Sequence, residues 1–118
     1  MIIKNERSKC AILSALADTE VQKILDSAMH NPKSISQITR DTGIPHTTVY
    51  RKIKWLLEEK LLVVDRIEIT EDGKKSSLLR TVLKSFNVKC EYNNVIIEAE
   101  QNYDTLKKVT EKFFSLYP

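Results

Sequence analysis

Glycine is scarce in this chain. The 118 residues hold 2, Gly43 and Gly73, too few for a glycine-rich loop that cradles phosphates. Cysteine is equally scarce. Cys10 and Cys90 lie far apart and form no CxxC pair, and the two histidines, His30 and His46, do not complete a metal quartet. That argues against a zinc site and favours a reducing, intracellular setting. Both thiols are expected as small buried apolar residues. Long apolar runs are missing too. The longest aliphatic run, Leu61 to Val64, is far too short to span a membrane. The first ten residues carry Lys4, Glu6, Arg7 and Lys9, unlike a secretory leader. No Ser/His/Asp set has recognisable local context, and the carboxylates are dispersed. The expectation is a cytoplasmic, non-membrane, non-enzymatic protein without metal or cofactor.

What is present is enough apolar residue for a core, 42% of the chain, in a length that suits one domain over 1–118. Net charge is only +3, so any contact with nucleic acid must come from clustered rather than global charge.

Hydrophobic spacing sets out the elements. Over 8–17, Cys10, Leu13, Leu16 and Ala17 fall near one helical face. Thr19 with Gln22 reads as a capping box, opening a helix whose Val21, Ile24, Leu25, Ala28 and Met29 follow a helical period. Asn31-Pro32 ends it. Ser34 and Ile35 read as a brief extended segment. Ser36 is the expected N-cap of a helix over Gln37 to Thr42, with Ile38 facing inward. Gly43 then sits where a left-handed residue closes a helix. Ile44 plugs the core, and Pro45 opens a helix from His46 to Lys60.

In that last helix Val49, Ile53 and Leu56 share a buried stripe, while Thr47, Arg51, Lys54 and Glu58 point the opposite way. Trp55 does not fit the stripe and is expected near the outer face, against a neighbouring element or a partner. Beyond Lys60 the period falls to two. A strand from Leu61 to Ile69, an Asp72-Gly73 turn and a return over Leu78 to Val82 make a hairpin with a basic return arm: Lys74, Lys75 and Arg80. A second hairpin is expected over 83–100, turning at Asn93-Asn94. A closing helix over 102–117 carries Tyr103, Leu106, Val109, Phe113 and Leu116 in a narrow seam that resembles a coiled-coil contact.

Helix, helix, helix-turn-helix, hairpin and closing helix, in that order, resemble a winged helix-turn-helix domain: mainly α with a small antiparallel β component, with an added β-hairpin and a C-terminal dimerisation helix. Leu16 to Val64 resembles the arsenical-repressor (ArsR-type) regulators. The resemblance lies in Leu16-Ala17-Asp18, Ile24-Leu25, Ile38 and Thr48-Val49-Tyr50-Arg51. It implies a DNA-binding transcription regulator that dimerises through its first and last helices. Here that points to Leu13, Leu16, Tyr103, Leu106, Val109, Phe113 and Leu116. The metal-sensing role of many members does not carry over, because the scaffold helix holds no cysteine and the last helix no histidine.

The expected partner is double-stranded DNA, bound by a homodimer. Arg51 can present two donors to guanine, and Thr47 and Thr48 offer hydroxyls and methyls to base edges. Tyr50 and His46 can donate to phosphate, and Lys54 suits phosphate too. Ser36 and Gln37 begin the scaffold helix, whose amides and dipole favour an anion. Lys74 and Lys75, in the wing at 70–76, could reach the minor groove or its phosphates, or simply solubilise the turn. The rival reading is a winged-helix protein-interaction module of transcription or chromatin machinery, held through Trp55 and the terminal helices.

Overall fold

The computed structural model describes residues 1–102. Their elements run β1 (Ile2–Ile3), α1 (Glu6–Leu16), α2 (Thr19–Ser27), α3 (Ile35–Thr42), α4 (His46–Glu58), β2 (Leu62–Ile69), β3 (Lys75–Thr81), β4 (Leu83–Glu91) and β5 (Asn94–Gln101). The strands form two antiparallel sheets: a β2–β3 hairpin, and a three-stranded sheet in the order β1-β5-β4. The expectation of a mainly α chain is corrected. Nearly the whole of 62–101 is strand, because the period-two alternation there is interrupted only by tight turns. The described residues are α+β. The helix expected over 102–117 lies outside them, apart from Asn102.

The helices begin where short polar side chains can reach free amides. Asp18, not Thr19, caps α2: its carboxylate accepts from the amides of Glu20 and Val21 at 3.0 and 3.2 Å. Gln22 instead donates to the Leu16 carbonyl. Ser34, not Ser36, caps α3. It forms a reciprocal capping box with Gln37, whose amide donates to Ser34 Oγ at 3.2 Å while Gln37 Oε1 accepts from the Ser34 amide at 2.9 Å. The extended residue is Lys33, which bridges to Leu79 of β3.

Two left-handed positions shape the region around α4. Gly43, at φ 71°, turns α3 into α4 at the position where a side chain would be strained. At the other end α4 stops before Lys60, which takes φ 61°. The Leu61 amide reaches back to the Leu56 carbonyl at 2.9 Å, and the Lys60 amide to that of Leu57 at 3.2 Å. This is a Schellman closure on a lysine where glycine is usual, at a cost of about 1–2 kcal/mol.

The main core is built from α2, α3, α4 and the base of the β2–β3 hairpin: Val21, Ile24, Ile38, Ile44, Val49, Ile53, Leu56, Leu62 and Leu79 pack together. Helix α1 turns a different face inward from the one its leucines suggested. Ala11, Ile12 and Ala15 are buried, Leu13 is half-buried, and Cys10, Leu16 and Ala17 are exposed. The small alanines let the helix approach closely, and the leucines are left outside. Both cysteines are exposed and free, correcting their expected burial.

Arg80 is not part of a basic arm. Its side chain is 9% exposed and faces the carboxylate of Asp65, itself 1% exposed, at 3.6 Å. Asp65 occupies a register shift between Val64 and Arg66, the bulge that turns it inward. The β4–β5 hairpin turns through Tyr92 and Asn93, with Glu91 paired to Asn94. The positive φ falls on Tyr92, at 51°, rather than on an asparagine. Asn102 fastens this second sheet to the rest. Its side-chain amide donates to the Met29 carbonyl at 3.1 Å and to Thr81 Oγ1 at 3.2 Å. Its backbone amide donates to the Val82 carbonyl at 2.8 Å.

Candidate nucleic-acid interface

Helix α4 divides cleanly into two sides. Val49, Ile53 and Leu56 are at most 1% exposed, while His46, Thr47, Tyr50, Arg51, Lys54 and Glu58 are exposed and Thr48 is half-buried. At roughly 100° per residue, Thr47, Arg51 and Lys54 lie opposite Val49. One side of the helix is sealed and the other presents cations and hydroxyls. Pro45 supplies no side-chain cap to α4, so the first-turn amides are left without one beside His46 and Thr47. By contrast, the capping box at Ser34 already occupies the Gln37 amide and the Gln37 side chain. Ser36 and Gln37 are exposed, but the anion-binding capacity expected of that turn is reduced.

What holds α4 at its angle is electrostatic as well as apolar. Lys52 reaches from α4 to Asp18 and Glu20, and Arg7 of α1 grips Glu59 with two donors at 3.1 Å each. A fork-to-fork pair of this kind fixes orientation as well as separation. Lys52 therefore braces the helix rather than facing outward, unlike Arg51 next to it. Arg51, Lys52, Trp55, Ser14, Asp18 and Val21 line one cleft. Trp55 is half-buried and packs against the core, the first of the two placements that its helical angle left open. Sequence reading missed both braces, because Asp18 and Arg7 lie 34 and 52 positions from their partners.

The Lys52 hydrogen bond is the main reason that the Asp18 carboxyl titrates below its ordinary range; the amides of Val21 and Glu20 lower it further, against partial desolvation. A carboxyl so depressed stabilises the fold above the unfolded value of about 3.9, and that stabilisation is lost as pH falls through the lower folded value. Asp18→Ala is expected to lower stability by about 1 kcal/mol through the lost cap. Asp18→Asn keeps an acceptor for the amides but removes the charge, so it should flatten part of the acid limb. Urea midpoints at pH 7 and near pH 3.5 check this. An acid limb as steep in the Asn variant as in the parent would contradict the Lys52 brace.

The hairpin tip brings Lys74 and Lys75 to an exposed turn. Thr70 organises it: its amide donates to the Lys74 carbonyl at 2.8 Å and its hydroxyl contacts Asp72. Of the residues expected at a subunit interface, Leu16 is 39% exposed and Leu13 half-buried. Tyr103, Leu106, Val109, Phe113 and Leu116 lie outside the described residues. Among the described residues no group of three or more His, Cys, Asp and Glu side chains could hold a metal ion. Nor is any helix there long and apolar enough to cross a membrane.

A scaffold helix, a glycine turn, a second helix with one open polar side and a following β-hairpin together define a winged helix-turn-helix domain. No family model matches the chain, and no curated protein does. Among solved structures it is similar to the homodimeric winged helix-turn-helix DNA-binding domain (fragment 1–100) of Mb0332 from Mycobacterium bovis, described as a possible ArsR-family transcriptional regulator. The two are 15% identical; the likeness covers 95% of this chain and 87% of that one, with a TM-score of 0.40. The assignment of α3 and α4 as a helix-turn-helix rests on this chain's own geometry.

Proposed function

We propose that this chain binds double-stranded DNA as a homodimeric transcription regulator of the cytoplasm, with α4 as the helix that enters the major groove. The observation that carries the reading is the division of α4. Its apolar stripe is sealed, while Thr47, Arg51 and Lys54 stand open on the far side. Arg51 reads a guanine edge and Thr47 and Thr48 read neighbouring bases. His46, Tyr50 and Lys54 contact phosphate, Lys74 and Lys75 hold the wing near the minor groove, and Ser36 and Gln37 lie against the backbone. Leu13 and Leu16 of α1, with the apolar seam of the last segment, join two copies. The paired α4 helices then meet successive major grooves about 34 Å apart, on a site with two-fold symmetry.

Salt is the direct test. Fluorescence anisotropy on duplex DNA should show an affinity falling linearly with log salt, with a slope near −0.9 for each phosphate neutralised. Absence of binding to any duplex at low salt overturns the reading.

A further inference from the structure

The wing carries apolar surface that neither the core nor its own tip uses. On β2, Val64, Ile67 and Ile69 are 41%, 59% and 73% exposed. They pair with Leu79, Ser77 and Lys75, alternate residues of β3 and therefore on one face of the hairpin. At the base of the hairpin the same face is buried through Leu62 and Leu79.

The backbone of β2 is open along the same stretch. The Thr70 amide donates to the Lys74 carbonyl, which sets the phase of the antiparallel ladder. Counting back, Glu68 and Arg66 direct their backbone groups toward β3, while Ile69 and Ile67 direct theirs to the outer edge. Among the described residues no strand pairs with that edge.

We propose that the outer edge of β2 is a docking surface for the same edge of a second copy, paired antiparallel about a two-fold axis through Ile67. The register is chosen by charge. It puts Ile67 in a hydrogen-bonded pair with its own counterpart. It also places Arg66 directly opposite Glu68 of the second copy, and Glu68 opposite Arg66 of the second copy. Both fall in non-hydrogen-bonded pairs, where Cα atoms approach to about 4.5 Å. Within one strand Arg66 and Glu68 already make a contact of 3.6 Å while more than half exposed. Pairing exchanges one solvated contact in each copy for two crossed ones, and gathers the exposed isoleucines of both copies on one face.

The other open edge, β4, offers the same charge pattern only at its end: pairing about Cys90 sets Lys89 against Glu91, but just three strand residues of each copy then overlap. Pairing about its midpoint, Asn87, overlaps the whole strand but brings no opposite charges together. The β2 surface is separate from the helical interface of the proposed homodimer. Where both form, wing pairing is the step that carries dimers into tetramers.

Sedimentation equilibrium of the full chain under reducing conditions tests the pairing. Arg66→Glu sets Glu against Glu at both crossed positions, and Glu68→Arg sets Arg against Arg. Each should weaken this association step about tenfold. An equimolar mixture of the two variants should restore it, because every crossed pair between unlike copies is again of opposite sign. Ile67→Pro removes the outward amide without taking a bond from the β3 ladder. It should abolish the step while circular dichroism stays unchanged. Association unaltered in the single variants, a mixture no tighter than its components, or a parent chain that associates no more than Ile67→Pro would each overturn the proposal.

Discussion

Ile53→Ala is expected to remove about 2–5 kcal/mol of stability, a large fraction of the roughly 5–15 kcal/mol that holds a domain of this size together. Ile53 is 1% exposed and packs in the cluster that joins α2, α3, α4 and the hairpin base. Its loss removes buried methyl groups and leaves a cavity that three helices and a sheet cannot all close at once. Urea denaturation should show the midpoint falling with little change in slope. DNA affinity should fall only in proportion to the unfolded fraction. A loss below about 1 kcal/mol, typical of a surface position, would show that the stripe of Val49, Ile53 and Leu56 is not the keystone of the core.

Arg51→Ala should do the reverse. The side chain is exposed, and unlike Lys52 it is tied to no carboxylate among the described residues. Stability should therefore hold within about 0.5 kcal/mol. Specific binding should fall by roughly 1–3 kcal/mol, about tenfold to a hundredfold, with relaxed preference at one base position. Arg51→Lys keeps the charge but loses the two-pronged donor, so it should restore non-specific affinity more than specificity. An equal loss on every sequence would reassign Arg51 to phosphate.

The sequence was most legible where one local rule governs. Val49, Ile53 and Leu56 repeat at helical spacing and are buried together. Gly43 sits where a left-handed turn is needed. Strand alternation over 62–99 located both hairpins. Errors arose where two candidates satisfy the same rule, or where partners are distant in the chain. Asp18 and Thr19 can both cap a helix, as can Ser34 and Ser36, and the choice depends on which side chain reaches the amide once the entering chain is placed. In α1, leucine spacing pointed to one face, but the packing selected Ala11, Ile12 and Ala15 because smaller side chains allow closer approach. Arg80 looked like a surface cation until the bulge at Asp65 turned a carboxylate toward it. Trp55 and Lys52 could be placed only by knowing what α4 packs against. For the candidate interface, exposure of Arg51, Thr47 and Lys54 followed from the helical period, whereas the braces to Asp18 and Glu59 did not.

The clamp at Asn102 has a consequence for how the molecule can be dissected. One side chain there joins the end of α2, the end of β3 and the last strand. A fragment ending at Val82 would keep every element of the helix-turn-helix and wing but leave a carbonyl and a hydroxyl without their shared donor. The second sheet is thus expected to unfold with the helices, in one thermal transition rather than two.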